Sequence, residues 1–406
     1  MVDIRAEMPG TSRTGKSDGK EILRVSREGE SDGSMHKLTF FPLGNADCCR
    51  IDLESGKQIL LDYADMKCYD DPADKRIALP NRLKSDLNGR GYYDVVGYTH
   101  LDDDHVFGSS EFFYLEHAAC YQSDDRVKIN ELWVPAAAII EDGLEDCARA
   151  IRQEARYRLR QGRGIRVFSR PELLRSWLEG QGISLESRAH LITDAGNLIP
   201  GWNKSYDGVE FFVHSPFATR LNDSNLVDRN KDCLVLHGTF AVAGVDTKVF
   251  FGGDVEHEGL EEIVRITRYH GREERIESDV VKIPHHSSYL SLGPDKGDDC
   301  TVPTEEIAYF YEKKLLWRPI LISTSKPIPA NDDDDQPPHR QAAAYYRKQA
   351  GGQGGTYVVT MENPRPSSPE PLIIEITGSK AKQKKSYAGG LISAVSQPAP
   401  RAGSGD

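Results

Sequence analysis

Short apolar runs, most of them stopping on charged, glycine or histidine residues, recur along this chain. Their period and composition predict strands near 37–43, 48–53, 58–62 and 94–99, then over Glu131–Pro135, 209–214, 233–237 and 247–252. Further strands are expected at 279–283, 319–323, 356–360 and 372–376. Helical spacing and good helix formers predict a helix from Asp104 to about Glu116, a long one over Ile139–Arg160 and a short one over Leu173–Leu178. Others are expected at 257–269, 304–316 and 340–349. Strand-rich halves with helices between them fit an α/β protein in which two sheets pack face to face with helices outside. Residues 1–35 are polar and read as a flexible N-terminal segment. Residues 36–377 read as one domain carrying a helical insertion at about 136–182, and the Gly-, Ser-, Ala- and Pro-rich 378–406 as a disordered tail.

Composition narrows the class. A content of 38% hydrophobic and 28% charged residues over 406 positions describes a soluble globular chain with a sizeable core. No apolar run approaches the ~20 residues that span a bilayer, and the N-terminus lacks the apolar stretch of a secretory signal, so no membrane partner is expected. Seven cysteines, an odd number without Cys-x-x-Cys spacing, do not form a disulfide framework, and the cytoplasm is the expected compartment. The net charge of -12 argues against broad coating of nucleic acid. One denser basic stretch carries Arg152, Arg156, Arg158, Arg160, Arg163 and Arg166, and reads either as a solvated helix face or as a phosphate-tracking flank.

The chemistry sits at three strand ends. The run Val95–Thr99 leads into His100-Leu101-Asp102-Asp103-Asp104-His105, which places two imidazoles and several carboxylates at one point. Carboxylates packed so closely repel one another unless a cation compensates them, and mixed nitrogen and oxygen donors suit zinc, manganese or iron. Lys248–Phe251 leads into Gly252-Gly253-Asp254, and Val280–Pro284 into His285-His286-Ser287-Ser288. An acidic turn alone is commonly a solvated loop. Three such ends in this order are a stronger signal.

On these residues the chain resembles the metallo-β-lactamase superfamily. More narrowly, it resembles the hydrolase domain of the bacterial DNA-uptake channel ComEC and its soluble stand-alone relatives, over roughly residues 36–376. That branch is marked by Ser/Thr-His-x-Asp-x-Asp-His, with Asp102 where most of the superfamily has a second histidine. Its Pro-His-His-Gly-Ser pattern appears as Pro284–Ser288, with Ser287 in place of glycine. The segment from Leu38 through Gly44-Asn45-Ala46-Asp47 to Leu61-Asp62-Tyr63 adds to the likeness. The channel-forming segments of ComEC are not part of this sequence.

The resemblance implies a metallo-β-lactamase αββα sandwich holding two divalent ions, zinc or manganese, at the edge between the sheets. His100 and Asp102 are expected at the first ion. Asp104, His105 and one of the His285-His286 pair, preferably His285, are expected at the second, with Asp254 bridging. Asp104 and His286 are the expected catalytic residues, His286 contacting substrate or protonating the leaving group. A third ligand to the first ion is less clear in the pattern. His214 is one candidate, and Asn230 is the other residue near that position, read as structural; with neither, a single-metal enzyme is the alternative. His339 matches a late histidine of the pattern. A water on such an ion has its pKa lowered from ~16 to ~7, which makes hydroxide accessible near neutrality. The implied function is a metal-dependent phosphodiesterase, a nuclease with DNA as substrate. Relatives in bacterial defence loci make partner proteins of an antiviral complex a further expectation. Two alternatives stand beside it: a small-molecule ester, lactone or nucleotide hydrolase, and a metal-stabilised module that binds a partner through the long helix at 139–160.

Overall fold

The computed structural model describes residues 35–224 and 227–385. The expectations for residues 1–34 and 386–406 lie outside these. Fifteen strands are formed among the described residues. They are β1 (His36–Phe40), β2 (Cys49–Asp52), β3 (Gln58–Leu61), β4 (Tyr92–Gly97), β5 (Lys128–Pro135), β6 (Ile165–Phe168) and β7 (Ile192–Thr193). There follow β8 (Val209–Ser215), β9 (Val235–Val242), β10 (Val245–Phe251), β11 (Ser278–Lys282), β12 (Leu315–Ser323), β13 (Thr356–Val359), β14 (Leu372–Thr377) and β15 (Lys380–Gln383). One sheet has the order β15-β14-β1-β2-β3-β4-β5-β6-β7 and the other β13-β12-β11-β10-β9-β8. Both are mixed. The strands from β3 to β7 run parallel, as do those from β10 to β13, while the remaining pairs are antiparallel.

The period-2 alternation of strand side chains sorts the apolar residues into three layers. In β10, Val249 and Phe251 join Phe40, Trp133, Phe211 and Ile322 in the core between the sheets. Phe250 points the other way, onto the helix His257–Tyr269 through Leu260, Ile263 and Val264. On the far side of the first sheet, Val96 and Leu132 pack with Leu83, Ile151 and Leu159 of its covering helices. The central core is pinned by Trp133, whose ring meets Phe168, Trp202 and Phe211 edge-on at 5.7–5.9 Å. The architecture is therefore the expected α/β one, two mixed sheets face to face with helices outside.

Several elements differ from the sequence reading. The helix expected over 104–116 is two short turns, Asp103–Val106 and Ser109–Phe112, broken where Gly108 adopts φ +79°. The long helix begins at Asp146, after a separate turn Ala137–Ile140. Between 136 and 182 the helices are interrupted by β6, which extends the first sheet. Residues 380–383, expected to be disordered, form β15 against β14. The arginine run is only half a solvated face: Arg160 and Arg163 are exposed and Arg156 is half-buried, while the other three turn inward. Arg152, Arg158 and Arg166 are buried, and Arg158 donates to the carbonyls of Ile129 and Gly164 at 3.0 and 2.9 Å and to Glu154 at 2.6 Å. No described helix is long and apolar enough to cross a membrane, and all seven cysteines are free.

Candidate metal centre

The carboxyl-terminal ends of β3, β4, β10, β11 and β12 converge at one edge of the sandwich, where parallel sheets commonly place their ligands. β3 delivers Asp62, β4 delivers Thr99 to His105, and β10 ends on Gly252-Gly253-Asp254. Glycine is required at 252, where a Cβ would stand 2.6 Å from Pro284 Cγ, and Gly253 takes φ +53°. β11 leads through Ile283 into Pro284, and His285, His286 and Ser287 then adopt φ of 48°, 52° and 63°. Three successive non-glycine residues in the left-handed region are strained, and the position of Ser287 is the one where the resembled pattern has glycine. Ser287 is held there by Ser323 Oγ at 2.8 Å and the Tyr357 hydroxyl at 2.9 Å.

Asp104, His105, Asp254 and His286 each present one ligand atom, and these atoms lie within 4.8 Å of one another. His286 Nε2 is 3.1 Å from Asp104 Oδ2 and 3.4 Å from Asp254 Oδ2. His105 Nε2 is 3.3 Å from Asp254 Oδ1. Each imidazole is oriented through its other nitrogen. His286 Nδ1 donates to the Thr324 carbonyl at 2.7 Å, while His105 Nδ1 hydrogen-bonds the Thr99 hydroxyl at 3.1 Å and lies 3.0 Å from Asp62 Oδ2. Asp62 is itself fixed by the Thr99 backbone N–H at 2.7 Å and the Thr99 hydroxyl at 2.9 Å. This is how metal-binding histidines are usually supported.

The electrostatics fit a cation. Burial opposes the charge on His286, yet Asp254, Asp104 and Asp47 lift its pKa to about 10. Burial likewise opposes the charge on His105, but Asp254, Asp62 and Asp104 raise it well above the usual imidazole range. Burial would raise Asp254, and His286, His105 and Lys282 instead hold it well below the ordinary carboxylate value. The carboxylates thus demand positive charge, here met by imidazolium protons and one ammonium. Buried His105 Nε2, His100 Nε2 and Asp254 Oδ1 have no hydrogen bond of good geometry. Unsatisfied buried donors and acceptors of this kind are what a coordinated ion removes, so the residues present fit a divalent metal. Asp104 is the partly exposed member, with 31% of its side chain open against 2–3% for His286 and Asp254, so the group opens at its edge.

The other expected residues fall into place unevenly. His100 lies beside the quartet, its ring 3.9 Å from that of His105, with Asp102 Oδ2 3.3 Å from its Nε2. Asp102 is clamped by Arg229, whose guanidinium also grips Glu141 at 2.7 Å. The turn that carries Asn230 therefore contributes its neighbour, a residue the sequence reading did not single out. His285, the preferred ligand, is not in the quartet, and its place is taken by His286. His214 is not brought to the site. The alternation of β8 sends Val213 into the central core and His214 to the opposite face, where it bonds the Arg275 carbonyl at 2.8 Å, packs on Phe250 and is pushed down to about 4 by burial. His339 supports the His286 loop instead of joining the quartet. Its backbone N–H donates to the Ser287 carbonyl at 3.1 Å, and its ring packs edge-on against Tyr289.

Sheet order and layers together define an αββα sandwich, two mixed sheets face to face with helices outside. No family profile matches the chain, and no curated protein does. Among solved structures, the chain is similar to a diphosphatase from the PhnP family at 9% identity, over 71% of this chain and 85% of that one, with a TM-score of 0.29. It is similar to unliganded yeast PDE1 at 10% identity, over 80% and 97%, with a TM-score of 0.38. It is also similar to metallo-β-lactamase SMB-1 bound to 2-mercaptoethanesulfonate at 12% identity, over 61% and 79%, with a TM-score of 0.27. At these values the likenesses carry no information about substrate.

Proposed function

We propose that this protein is a metal-dependent phosphodiesterase acting on nucleic acid, with DNA as the preferred substrate. The observation that carries the reading is the convergence of Asp104, His105, Asp254 and His286 from both sheets within 4.8 Å. A bound divalent ion supplies Lewis-acid stabilisation of a phosphoryl centre and lowers the pKa of water. His105 and His286 would hold it through their Nε2 atoms, with Asp62 and the Thr324 carbonyl keeping both rings aimed. Asp104 would hold it from the open edge, where substrate has access. Zinc or manganese, one ion or two, suits the donor set. The strand-end motif supports the ComEC-like reading, and with it a cytoplasmic effector that works with partner proteins in defence.

Cleavage of end-labelled single- and double-stranded DNA and RNA, with manganese, zinc or chelator and beside Asp104→Ala, tests this. Metal-dependent cutting lost in the variant is expected. Unimpaired cutting by Asp104→Ala would remove the quartet from the reaction.

A second reading, hydrolysis of a small phosphodiester or nucleotide, has one observation in its favour. Arg152, Arg158 and Arg166 are buried, so half of the densest basic stretch is withheld from a polymer backbone. Turnover of such a small substrate without action on any polymer would decide for it.

A further inference from the structure

A second set of candidate ligands lies behind the quartet. Asp47, Asp62 and His105 offer atoms within 4.8 Å of one another, all buried. On donor type alone this pocket could take another ion. It is already occupied from within the chain. Lys282, the last residue of β11, is 4% exposed and puts its Nζ against Asp47 Oδ2. The same Nζ lies 2.9 Å from the Gly253 carbonyl and 3.5 Å from Asp254 Oδ1. A buried ammonium is stable only when paired and hydrogen-bonded, and every partner of this one comes from the metal edge. Asp254 is thereby shared. One of its oxygens faces Lys282 and His105, and the other faces His286.

We propose that Lys282 is the resident cation of the Asp47–Asp62 pocket, closing it to divalent ions and confining metal to the outer, substrate-facing side of Asp254. The inference rests on reading the quartet as a metal site. Its logic is charge and space: the ammonium supplies the compensation that two buried carboxylates require, and it repels a dication at the same oxygens. The lysine is a positioning residue, since it also holds the carboxylate of Asp254 in the orientation that faces His286.

The test counts ions in the full chain, stripped with chelator, reloaded with manganese or zinc and desalted, by plasma mass spectrometry. Lys282→Met is expected to hold one more ion per chain than the parent, and Lys282→Met/Asp47→Asn to lose that extra ion. Equal counts in the parent and Lys282→Met would overturn the proposal. A parent that holds no ion would defeat the metal reading of the quartet, whereas an ion gained by Lys282→Met alone would still uphold the role of the lysine. Should Lys282→Met not fold, Asp104→Ala/His286→Ala gives the answer with the lysine intact. An ion retained there and released by a further Asp47→Asn would place metal beside Lys282 and overturn the proposal; no ion dependent on Asp47 is the expected result.

Discussion

His286 Nε2 stands 3.1 Å from Asp104 Oδ2, across 182 residues of sequence. With its Nδ1 committed to the Thr324 carbonyl, His286 has one nitrogen left, and that nitrogen faces the quartet. Removing it is expected to weaken metal binding by at least about 100-fold, the upper range for loss of a mere supporting partner. His285→Ala should cost far less, because the neighbouring ring lies outside the quartet. Competition with a chromogenic chelator checks both, and equal losses would count against the assignment.

Asp104→Ala removes the one partly exposed ligand of the group. Hydrolysis should fall by about 100-fold or more at saturating metal, with the fold unchanged by circular dichroism. A loss confined to KM would mean that Asp104 only binds substrate.

Asp62 touches no other member of the quartet than His105, whose Nδ1 it holds at 3.0 Å. Asp62→Asn is expected to lower metal affinity by about 10–100-fold through the misdirected ring. Titration calorimetry with manganese would measure it, and an unchanged affinity would leave Asp62 a purely structural residue.

In the chelated chain, stability should depend on pH through His286. Its folded pKa of about 10 lies above the ordinary 6.5, so its contribution is full below pH 6.5 and lost as pH rises toward about 10. His105, also raised, acts in the same direction. Asp254, held low, contributes above its ordinary 3.8 and loses that contribution in acid. Thermal melts should therefore decline between pH 6.5 and about 10, and His286→Ala should flatten that slope.

Glu154 is fully buried between Arg158, whose Nε donates at 2.6 Å, and the backbone N–H of His117 at 2.9 Å. Glu154→Ala leaves Arg158 only the longer contact to Glu116 at 3.6 Å, and a loss of about 3–5 kcal/mol is expected from denaturant unfolding. A loss under 1 kcal/mol would show that the Ile129 and Gly164 carbonyls suffice for Arg158.

The legible part of this molecule was whatever is encoded locally. Apolar strands ending on Asp104-His105, Asp254 and His285-His286 announce themselves by spacing, and the two-sheet architecture follows from their number and order. Contacts between distant segments were not legible. Nothing near Lys282 in sequence points to Asp47, and nothing near Arg229 points to Asp102, because both pairs are made by packing between segments. The choice between His285 and His286 turns on three left-handed residues after Pro284, which spacing does not reveal. His214 failed for a simpler reason: a register in which Val213 faces the core must turn its neighbour outward. The arginine run was half legible: Arg160 and Arg163 are exposed, but composition does not show the carbonyls that absorb Arg152, Arg158 and Arg166.

Asp104 and His105 are chain neighbours, as are His285 and His286, so an unfolded polypeptide already carries two separate chelating dipeptide segments. They meet only after both sheets have paired, late in a topology dominated by distant contacts. Metal added before that point would bind these segments singly or join them between molecules, and would favour aggregation over assembly. The order of events during refolding, chain first and metal second, should thus decide the yield of active protein as strongly as the amount of metal does.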